Sequence, residues 1–222
     1  MFYALTRLLC MILFRVVWRP VIEGREHIPA TGPVIVASNH LSFIDSIVIP
    51  LAVPRRVVFL AKAEYFEGRG LASLPRRTFF RTFGAVPVAR DQQRDAQASL
   101  ELARGVLAGG DAFGIYPEGT RSRDGRLYRG RTGVGWLALA SGAPVVPVAL
   151  IGTDRVQPVG ARFPRVHRVR VRFAEAVRPE VYAEGLPPGR ARRRITDEVM
   201  DRIAALSGQQ RAPDYNERPT PV

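Results

Sequence analysis

The sequence predicts a single α/β domain, a sandwich in which helices flank a largely parallel, mixed sheet. The chain has 222 residues, 46% of them hydrophobic, which is enough to bury one sizeable core. Apolar runs rich in branched residues alternate with segments of helical periodicity, as in strands joined by crossover helices. We predict an N-terminal membrane-interface helix over residues 1–19, the α/β domain over 20–207 and a disordered tail over 208–222.

Residues 1–18 are almost wholly apolar, with Arg7 and Arg15 as the charged interruptions. The longest unbroken run, Leu8 to Phe14, is far shorter than the roughly 18 residues that a membrane-spanning helix needs. At about 100° per residue, Arg7, Arg15 and Arg19 fall on one side of a helix and apolar side chains cover the rest. We therefore expect a helix that lies in the membrane interface. The alternative is a signal peptide, but no small-residue cleavage site follows.

Each predicted strand is a short run of branched or aromatic residues bounded by glycine, proline or polar residues. A short strand and turn fall within residues 21–31, and the later runs are Pro33–Ala37, Val57–Ala61, Gly84–Arg90, Ala112–Tyr116, Val145–Ile151 and Val166–Phe173. The last run alternates, with Val169, Val171 and Phe173 on one face and arginines on the other. This alternation predicts an edge or one-sided strand, whose arginines would guard an edge against pairing.

Helical periodicity marks the segments between these strands. The clearest is Gln92–Ala108, whose small and apolar residues share one face and which stops at a pair of glycines. Further helices are predicted from Ser42 onward, near Thr132–Ala140, and over Arg190–Leu206.

The chain is strongly basic, with 33 Lys+Arg against 20 Asp+Glu and a net charge of +13. Such a balance implies an anionic partner: a nucleic acid, a phospholipid surface or a phosphorylated substrate. Lys62 is the only lysine and follows a predicted strand. One lysine retained among so many arginines indicates a site that uses a compact ammonium, as phosphate sites do. The alternative is that arginine enrichment reflects genome composition alone.

The single cysteine, Cys10, excludes an intramolecular disulfide and fits a reducing compartment. Because it lies in the apolar N-terminal segment, we interpret it as a packing residue. Together with the interfacial helix, it predicts a peripheral or monotopic protein on the cytoplasmic face of the cell membrane.

The segment Ser38 to Asp45 brings a histidine to the end of a predicted strand. On one helix His40 and Asp45 would lie about 140° apart, so they can meet only if His40 lies in the turn before the helix. A carboxylate on one imidazole nitrogen would leave the other as a base that can activate a hydroxyl. The alternative is that Asp45 forms a capping box with Ser42 and that His40 is a satisfied polar residue in a tight turn.

Other predicted strands also end in polar residues. Arg90 follows one strand, and Glu118 and Arg121 follow another. Because ligands of α/β sheets bind outside the carboxyl ends of the strands, these residues can converge on one crevice. The crevice would hold a base, arginines suited to bidentate phosphate binding, and Gly119, which lets the backbone approach a ligand.

Four motifs, in this order, resemble those of the acylglycerol-phosphate acyltransferases of the phospholipid and glycerol acyltransferase superfamily. The first is Asn39-His40 with Asp45 five residues after the histidine, and the second is Gly84 to Arg90. The third is Tyr116 to Ser122, with tyrosine where phenylalanine or an aliphatic residue is commoner, and the fourth is Val146-Pro147-Val148. Departures are a short N-terminal segment and Tyr128-Arg129, where the family more often has phenylalanine-lysine.

The resemblance implies acyl transfer from acyl-coenzyme A or acyl carrier protein to the free hydroxyl of a lysophosphatidate, giving phosphatidate. His40 would be the catalytic base and Asp45 would orient it. The residues that would bind the acceptor are Lys62, Arg90, Glu118, Gly119, Thr120 and Arg121. For Glu118 a second role stays open, which is to buttress the arginines. We expect no metal, no resident cofactor and no covalent acyl-enzyme, in agreement with the absence of a Gly-x-Ser-x-Gly nucleophile motif.

Three alternatives stay open at this point. The same chemistry could act on glycerol 3-phosphate, another lysophospholipid or a glycolipid. The chain could also be a catalytically silent membrane-surface protein. A basic nucleic-acid-binding protein is the third, but the arginines are dispersed and the aromatic residues lack the pattern of a stacking platform, so we expect no nucleic-acid partner.

Overall fold

The computed structural model describes residues 9–62, 85–88, 93–161 and 163–217, with the backbone alone described at 61–62, 85–88 and 93–95. The strands are β1 Val21–Glu23, β2 Val34–Ser38, β3 Val57–Lys62, β4 Ala85–Val88, β5 Ala112–Ile115, β6 Val145–Ile151 and β7 Arg170–Phe173. The α-helices after β2 are α1 Asp45–Ala52, α2 Gln93–Ala108, α3 Gly133–Ser141, α4 Thr153–Val156, α5 Pro179–Ala183 and α6 Pro188–Ser207.

The strands form one seven-stranded sheet in the order β1-β7-β6-β2-β5-β3-β4. From β6 to β4 every neighbouring pair is parallel. At the other side β7 runs antiparallel to β6, and β1 pairs parallel with β7. The α/β class and the largely parallel, mixed sheet predicted from the sequence are therefore confirmed.

The central strand β2 is buried along its whole length. Val34 and Val36 pack into a hydrophobic cluster on one face of the sheet, which includes residues of α1. Ile35 and Ala37 pack into a second cluster on the other face, which includes residues of α3 and α6. Because successive side chains of a strand point to opposite faces, a strand covered on both sides requires an unbroken apolar run. This packing fixes the carboxyl end of β2, after which His40 follows.

Strand β7 is one-sided, as predicted: Val171 and Phe173 are buried and Arg170 is exposed. Of the two predicted alternatives, an edge strand or a one-sided strand, the second holds, because β1 pairs with β7 and places Val21 opposite Arg170. Its arginines therefore do not protect an edge from pairing. Arg172 instead donates from Nε to the Glu23 carboxylate on the neighbouring strand, at 2.7 Å.

The N-terminal segment is helical where it is described, in α conformation over residues 9–13 and as a π-helical turn over Phe14–Trp18. Phe14 is buried in the cluster on the α1 face of the sheet. The apolar side chains on the other sides of the helix are exposed, namely Leu9, Ile12, Leu13 and Val16. Among the described residues, no helix has the length and apolar character needed to cross a bilayer.

The C-terminal residues differ from the predicted disordered tail. Helix α6 ends at Ser207, and residues 209–217 then lie along residues 117–131. The Leu127 N–H donates to the Gln210 carbonyl and the Ala212 N–H donates to the Leu127 carbonyl, each at 2.9 Å. The tail prediction is wrong for 208–217 because these backbone groups find partners far away in the sequence. Residues 218–222 lie outside the described residues.

Candidate active site

The site lies at the carboxyl ends of β2 and β5, which are adjacent parallel strands. β2 leads into Asn39 and His40, and β5 leads into residues 116–122. The Ser122 N–H donates to the His40 carbonyl at 2.8 Å. The structure therefore brings the first and third sequence motifs together at one end of the sheet, as the parallel arrangement requires.

Asp45 is fully buried, and one of its oxygens collects the polar groups of the preceding turn. Oδ2 accepts hydrogen bonds from the N–H groups of Leu41 and Ser42, at 2.7 and 2.8 Å, and lies 2.9 Å from His40 Nδ1. A carboxylate at Nδ1 favours the neutral tautomer with its proton on Nδ1 and its lone pair on Nε2. As predicted, His40 meets Asp45 from the turn before the helix.

Asp45 also opens helix α1, which begins at this residue and not at Ser42. Its bond to the Ser42 N–H is the one that the acidic residue of a capping box makes. The Ser42 hydroxyl, however, donates to the Gln157 carbonyl at 2.8 Å, so the predicted box is only half formed. One carboxylate oxygen thus serves both functions that the sequence left as alternatives, the start of the helix and the orientation of the imidazole.

Glu118 joins the two motifs through the backbone. Its Oε1 accepts from the His40 N–H and its Oε2 accepts from the Tyr128 N–H, both at 3.0 Å. Together with the Ser122 bond, this holds both the N–H and the C=O of His40 on the third motif. The predicted role of Glu118 as a substrate ligand does not fit this geometry, because its side chain is fully buried and both oxygens accept from backbone donors.

The burial of Glu118 has an electrostatic consequence. Removal from water raises the pKa of its carboxyl to about 7, although the two backbone N–H groups favour the charged form. The nearby charges of Asp45 and Asp124 raise the pKa further. The protonation state of a group that holds His40 therefore changes near neutral pH.

Tyr116 stacks on the imidazole, a contact that the sequence analysis missed. The Tyr116 and His40 rings lie 3.8 Å apart between centroids and 10° from parallel. The Tyr116 hydroxyl lies 2.9 Å from the Ser46 hydroxyl on α1. Desolvation, and then the charge of Asp45, raise the pKa of Tyr116 well above its usual value, so its hydroxyl stays protonated. The signal in the sequence was Tyr116 itself, because the third motif more often has phenylalanine or an aliphatic residue there. Tyrosine adds a hydroxyl to this position, and Ser46 is the partner of that hydroxyl.

Asn39 holds the His40 turn to the neighbouring strand, a second role that the sequence analysis missed. Its amide accepts from the Leu150 N–H at 2.8 Å and donates to the Leu150 carbonyl at 2.9 Å. Its Nδ2 also donates to Gln209 Oε1 at 2.7 Å. Asn39 was visible as part of the first motif, but no spacing signals partners 111 and 170 residues away.

Gly119, Thr120 and Arg121 form a turn beside His40. Gly119 has a φ of 79°, a left-handed conformation that favours glycine, and its N–H donates to the Tyr116 carbonyl at 3.0 Å. A Cβ at this position would lie 3.1 Å from the Arg131 side chain. Arg121 is exposed and directly precedes Ser122, which bonds to His40. The turn therefore places a left-handed glycine and an exposed arginine within a few residues of the Ser122–His40 bond.

For the other two predicted acceptor ligands, Lys62 and Arg90, the structure does not describe the side chains. Lys62 ends β3, and its backbone lies opposite Val88 of β4 at the same end of the sheet as His40. The Lys62 side chain and the whole of Arg90 lie outside the described residues. Within the part of the chain that the structure describes, no three His, Cys, Asp or Glu side chains are arranged to hold a metal ion.

The arrangement favours proton transfer on an anionic substrate. The His40 side chain is 16% exposed, so a substrate can reach a ring whose Nδ1 is held by a fully buried carboxylate. A base of this kind accepts a proton at Nε2, and the buried carboxylate stabilises the imidazolium that forms. The adjacent arginine supplies a positive charge suited to a phosphate.

Comparison with known proteins identifies relatives of this chain. Residues 19–151, which contain all four motifs, match the acyltransferase family model. The chain is 32% identical over 145 residues to the chloroplastic 1-acyl-sn-glycerol-3-phosphate acyltransferase LPAT1 of Arabidopsis thaliana, covering 63% of this chain and 38% of the relative. It is 30% identical over 174 residues to 1-acyl-sn-glycerol-3-phosphate acyltransferase alpha of Mus musculus, covering 77% and 57%. The chain thus spans less than two thirds of the length of either relative.

The fold is also similar to a solved structure. The crystal structure of the 1-acyl-sn-glycerophosphate (LPA) acyltransferase PlsC from Thermotoga maritima matches with a TM-score of 0.67 and 25% sequence identity, covering 90% of this chain and 80% of that one. The family model, the relatives and this structure agree with the resemblance drawn from the four motifs. The chain belongs to the acyltransferase family.

Proposed function

We propose that this protein transfers an acyl group from a thioester to the free hydroxyl of lysophosphatidate and so produces phosphatidate. The names of the relatives from A. thaliana and M. musculus support this acceptor. The observation that carries the proposal is the 2.9 Å contact between His40 Nδ1 and Asp45 Oδ2, at the carboxyl ends of two parallel strands and beside an exposed arginine.

In this mechanism His40 is the general base. Its Nε2 takes the proton of the acceptor hydroxyl while the hydroxyl oxygen attacks the thioester carbonyl. The tetrahedral intermediate collapses with loss of the thiolate, which takes the proton back from the imidazolium. The products are an ester and a free thiol, and His40 returns to its starting state. The Asp45 carboxylate keeps the proton on Nδ1 and stabilises the imidazolium, so the acyl group passes directly to the acceptor without an acyl-enzyme.

Arg121 is the proposed anchor for the acceptor phosphate. Its exposed guanidinium can form two parallel hydrogen bonds to phosphate oxygens, which a lysine cannot. Gly119 and Thr120 bring the backbone of the same turn close to that phosphate. Lys62 and Arg90 are proposed as further phosphate ligands from the neighbouring strand ends. Glu118 contributes by holding the backbones of His40 and Tyr128 and does not touch the acceptor.

We also propose that the protein works at the surface of a membrane, where the acceptor resides, on its cytoplasmic face. Four apolar side chains of the N-terminal helix are more than half exposed: Leu9 at 61%, Ile12 at 54%, Leu13 at 55% and Val16 at 66%. The Trp18 Nε1–H donates to the Arg165 carbonyl at 3.0 Å, which holds the end of this helix against the residues around Val166, itself 79% exposed. An apolar surface beside arginines suits an anionic phospholipid bilayer.

Vesicle binding tests the membrane proposal. Leu13→Asp should weaken binding to vesicles that contain phosphatidylglycerol by at least about tenfold. The substitution removes an apolar side chain from the interface and introduces a negative charge, which the negatively charged lipid repels. Leu102→Asp is the matched control, since Leu102 is 49% exposed on α2, which packs on the opposite face of the sheet from Phe14. Equal vesicle affinity for the two variants would contradict the proposed surface.

An acceptor panel tests the reaction itself. The purified protein is incubated with labelled acyl-coenzyme A or acyl carrier protein and with lysophosphatidate, glycerol 3-phosphate, a lysophosphatidylcholine or a glycolipid. We expect the highest kcat/KM with lysophosphatidate. A higher value with another acceptor would show that the acceptor is assigned wrongly, and no transfer to any acceptor would overturn the proposed function. The two donors in the panel identify which thioester is used.

A further inference from the structure

The C-terminal segment, residues 209–217, lies along the basic loop, residues 117–131, that carries Arg121. The two run in parallel, with Leu127 opposite Arg211. Besides the two bonds of Leu127, the Arg129 N–H donates to the Asp214 carbonyl at 3.0 Å. Ala212 is buried at this contact. Two backbone donors of the basic loop, the N–H groups of Leu127 and Arg129, are thus satisfied by the end of the chain.

The side chain of Gln209 connects this contact to the His40 turn. Its Oε1 accepts from Asn39 Nδ2 and its Nε2 donates to the Gly125 carbonyl, both at 2.7 Å. Asn39 is fully buried and directly precedes His40. One amide group therefore links the turn that carries the base to the loop that carries the arginine.

The other end of the segment is fixed to the loop near Arg121. Asn216 Nδ2 donates to the Arg121 carbonyl at 3.1 Å, and the Asn216 carbonyl accepts from Arg131 Nη2 at 3.3 Å. The Tyr215 ring lies against two guanidinium groups of the loop, 5.2 Å from Arg129 and 5.5 Å from Arg131. The basic loop is therefore held at both ends by a segment outside the four motifs.

We propose that the C-terminal segment sets the position of the basic loop relative to His40, with Gln209 as its principal positioning residue and Asn216 as the second. The inference rests on the proposed function, because it assigns acceptor binding to Arg121. Arg121 is exposed, so its reach depends on where its backbone is held, and Asn216 holds that backbone at the carbonyl. A small displacement of a substrate-binding group is costly for a reaction that depends on orientation.

Substitution at Gln209 tests the inference against a matched neighbour. Gln209→Ala removes both amide contacts, whereas Gln210→Ala leaves the backbone carbonyl that Leu127 uses. We expect Gln209→Ala to raise the KM for lysophosphatidate by about 3- to 10-fold, as the loss of a hydrogen bond or two would, with kcat and the thioester KM changed less than about twofold. Asn216→Ala should act in the same direction, and Gln210→Ala should match the wild type.

Amide hydrogen exchange supplies a second readout that needs no substrate. In Gln209→Ala the N–H groups of Leu127 and Arg129 should exchange several-fold faster than in Gln210→Ala, while those of the central strand β2 should not change. If the wild type transfers no acyl group to lysophosphatidate, the proposed function fails, and faster exchange still supports the positioning of the loop. If the wild type is active and Gln209→Ala matches Gln210→Ala in KM and in exchange, the inference is overturned. A loss of kcat with unchanged acceptor KM would overturn it as well.

Discussion

Two groups of side chains around His40 differ in their relation to solvent. The first, the buried frame, consists of Asn39, Asp45 and Glu118, which are fully buried and hydrogen-bonded to backbone. The second, the basic rim, consists of Arg121, Arg129 and Arg131, which are exposed. The frame fixes the base before any substrate arrives, whereas the rim consists of long cations that can adapt to a bound anion.

The contrast separates two contributions to catalysis. Buried polar groups that are hydrogen-bonded to backbone hold one geometry, and a geometry that is fixed in advance mainly lowers the barrier of the chemical step. Exposed arginines contribute to binding through contacts that form with the substrate. Changes to the base and its frame should therefore lower kcat or alter stability, and changes to the rim should raise the acceptor KM.

The largest effect is expected at the base that the frame holds. His40→Ala should lower kcat by at least about 100-fold, because general-base assistance is typically worth about 10²–10⁴ in rate. Steady-state acyl transfer measures the effect, with circular dichroism to confirm that the variant is folded. His27→Ala, in the short 3₁₀ turn Arg25–His27, is the matched histidine control and should keep nearly full turnover. Near-wild-type turnover in His40→Ala would show that His40 is not the general base.

The next largest effect is on stability, and it follows from the burial of Glu118 in the frame. The fold raises the pKa of Glu118 to about 7 from an ordinary value near 4.5. The native state therefore binds more protons than the unfolded state in this range, so the contribution of Glu118 to stability is full below about pH 4.5 and is lost as the pH rises through 7. At about 1.4 kcal/mol per pKa unit, the loss is of the order of 3 kcal/mol.

Urea unfolding of the wild type and of Glu118→Gln between pH 4.5 and 8 measures this contribution. The free energy of unfolding of the wild type should fall relative to that of the variant as the pH rises, since glutamine does not titrate. Glu180→Gln, at an exposed position of helix α5, is the control and should show no such trend. If the free energy of unfolding of the wild type stayed constant or rose relative to that of Glu118→Gln as the pH increased, the result would contradict a buried carboxyl with a raised pKa.

The smallest of the three effects is expected at the rim. Arg121→Ala should raise the KM for lysophosphatidate by about 10- to 100-fold, because a hydrogen bond to a charged group is worth roughly 1.5–3 kcal/mol. Initial rates over a range of acceptor concentrations separate KM from kcat. Arg178→Ala is the matched control, since Arg178 is exposed next to Val177, which pairs with Val145 at the opposite end of the sheet. A change confined to kcat would show that Arg121 does not anchor the phosphate.

The same contrast explains what the sequence could predict. His40 and Asp45 are five residues apart, so helix geometry alone determined that they could meet only through a turn. Strand β2 was predicted because its burial on both faces requires an unbroken apolar run. The contacts of Asn39 with Leu150 and Gln209 depend on the order of the strands and on the path of the C-terminal segment, which local spacing does not encode.

Contacts between residues far apart in the sequence also explain where the sequence predictions fell short. The alternation of Val166–Phe173 correctly indicated a one-sided strand, but it could not show that β1, from the other end of the chain, pairs with its outer side. The residues after Gly208 are rich in proline and polar side chains, which predicted disorder, yet their backbone groups pair with the basic loop. Glu118 was assigned to the substrate because its burial cannot be read from a motif of mostly polar residues.

The protonation of the His40 ring nitrogens tests the central claim most directly. In ¹⁵N-labelled protein at alkaline pH, long-range ¹H–¹⁵N spectra distinguish a protonated ring nitrogen from one that carries a lone pair, and His40→Ala assigns the signals. Because Asp45 Oδ2 lies 2.9 Å from Nδ1, we predict a protonated Nδ1 and a lone pair on Nε2, and a weaker preference in Asp45→Asn. A proton on Nε2 in the wild type would contradict the assignment of His40 as the base that faces the acceptor.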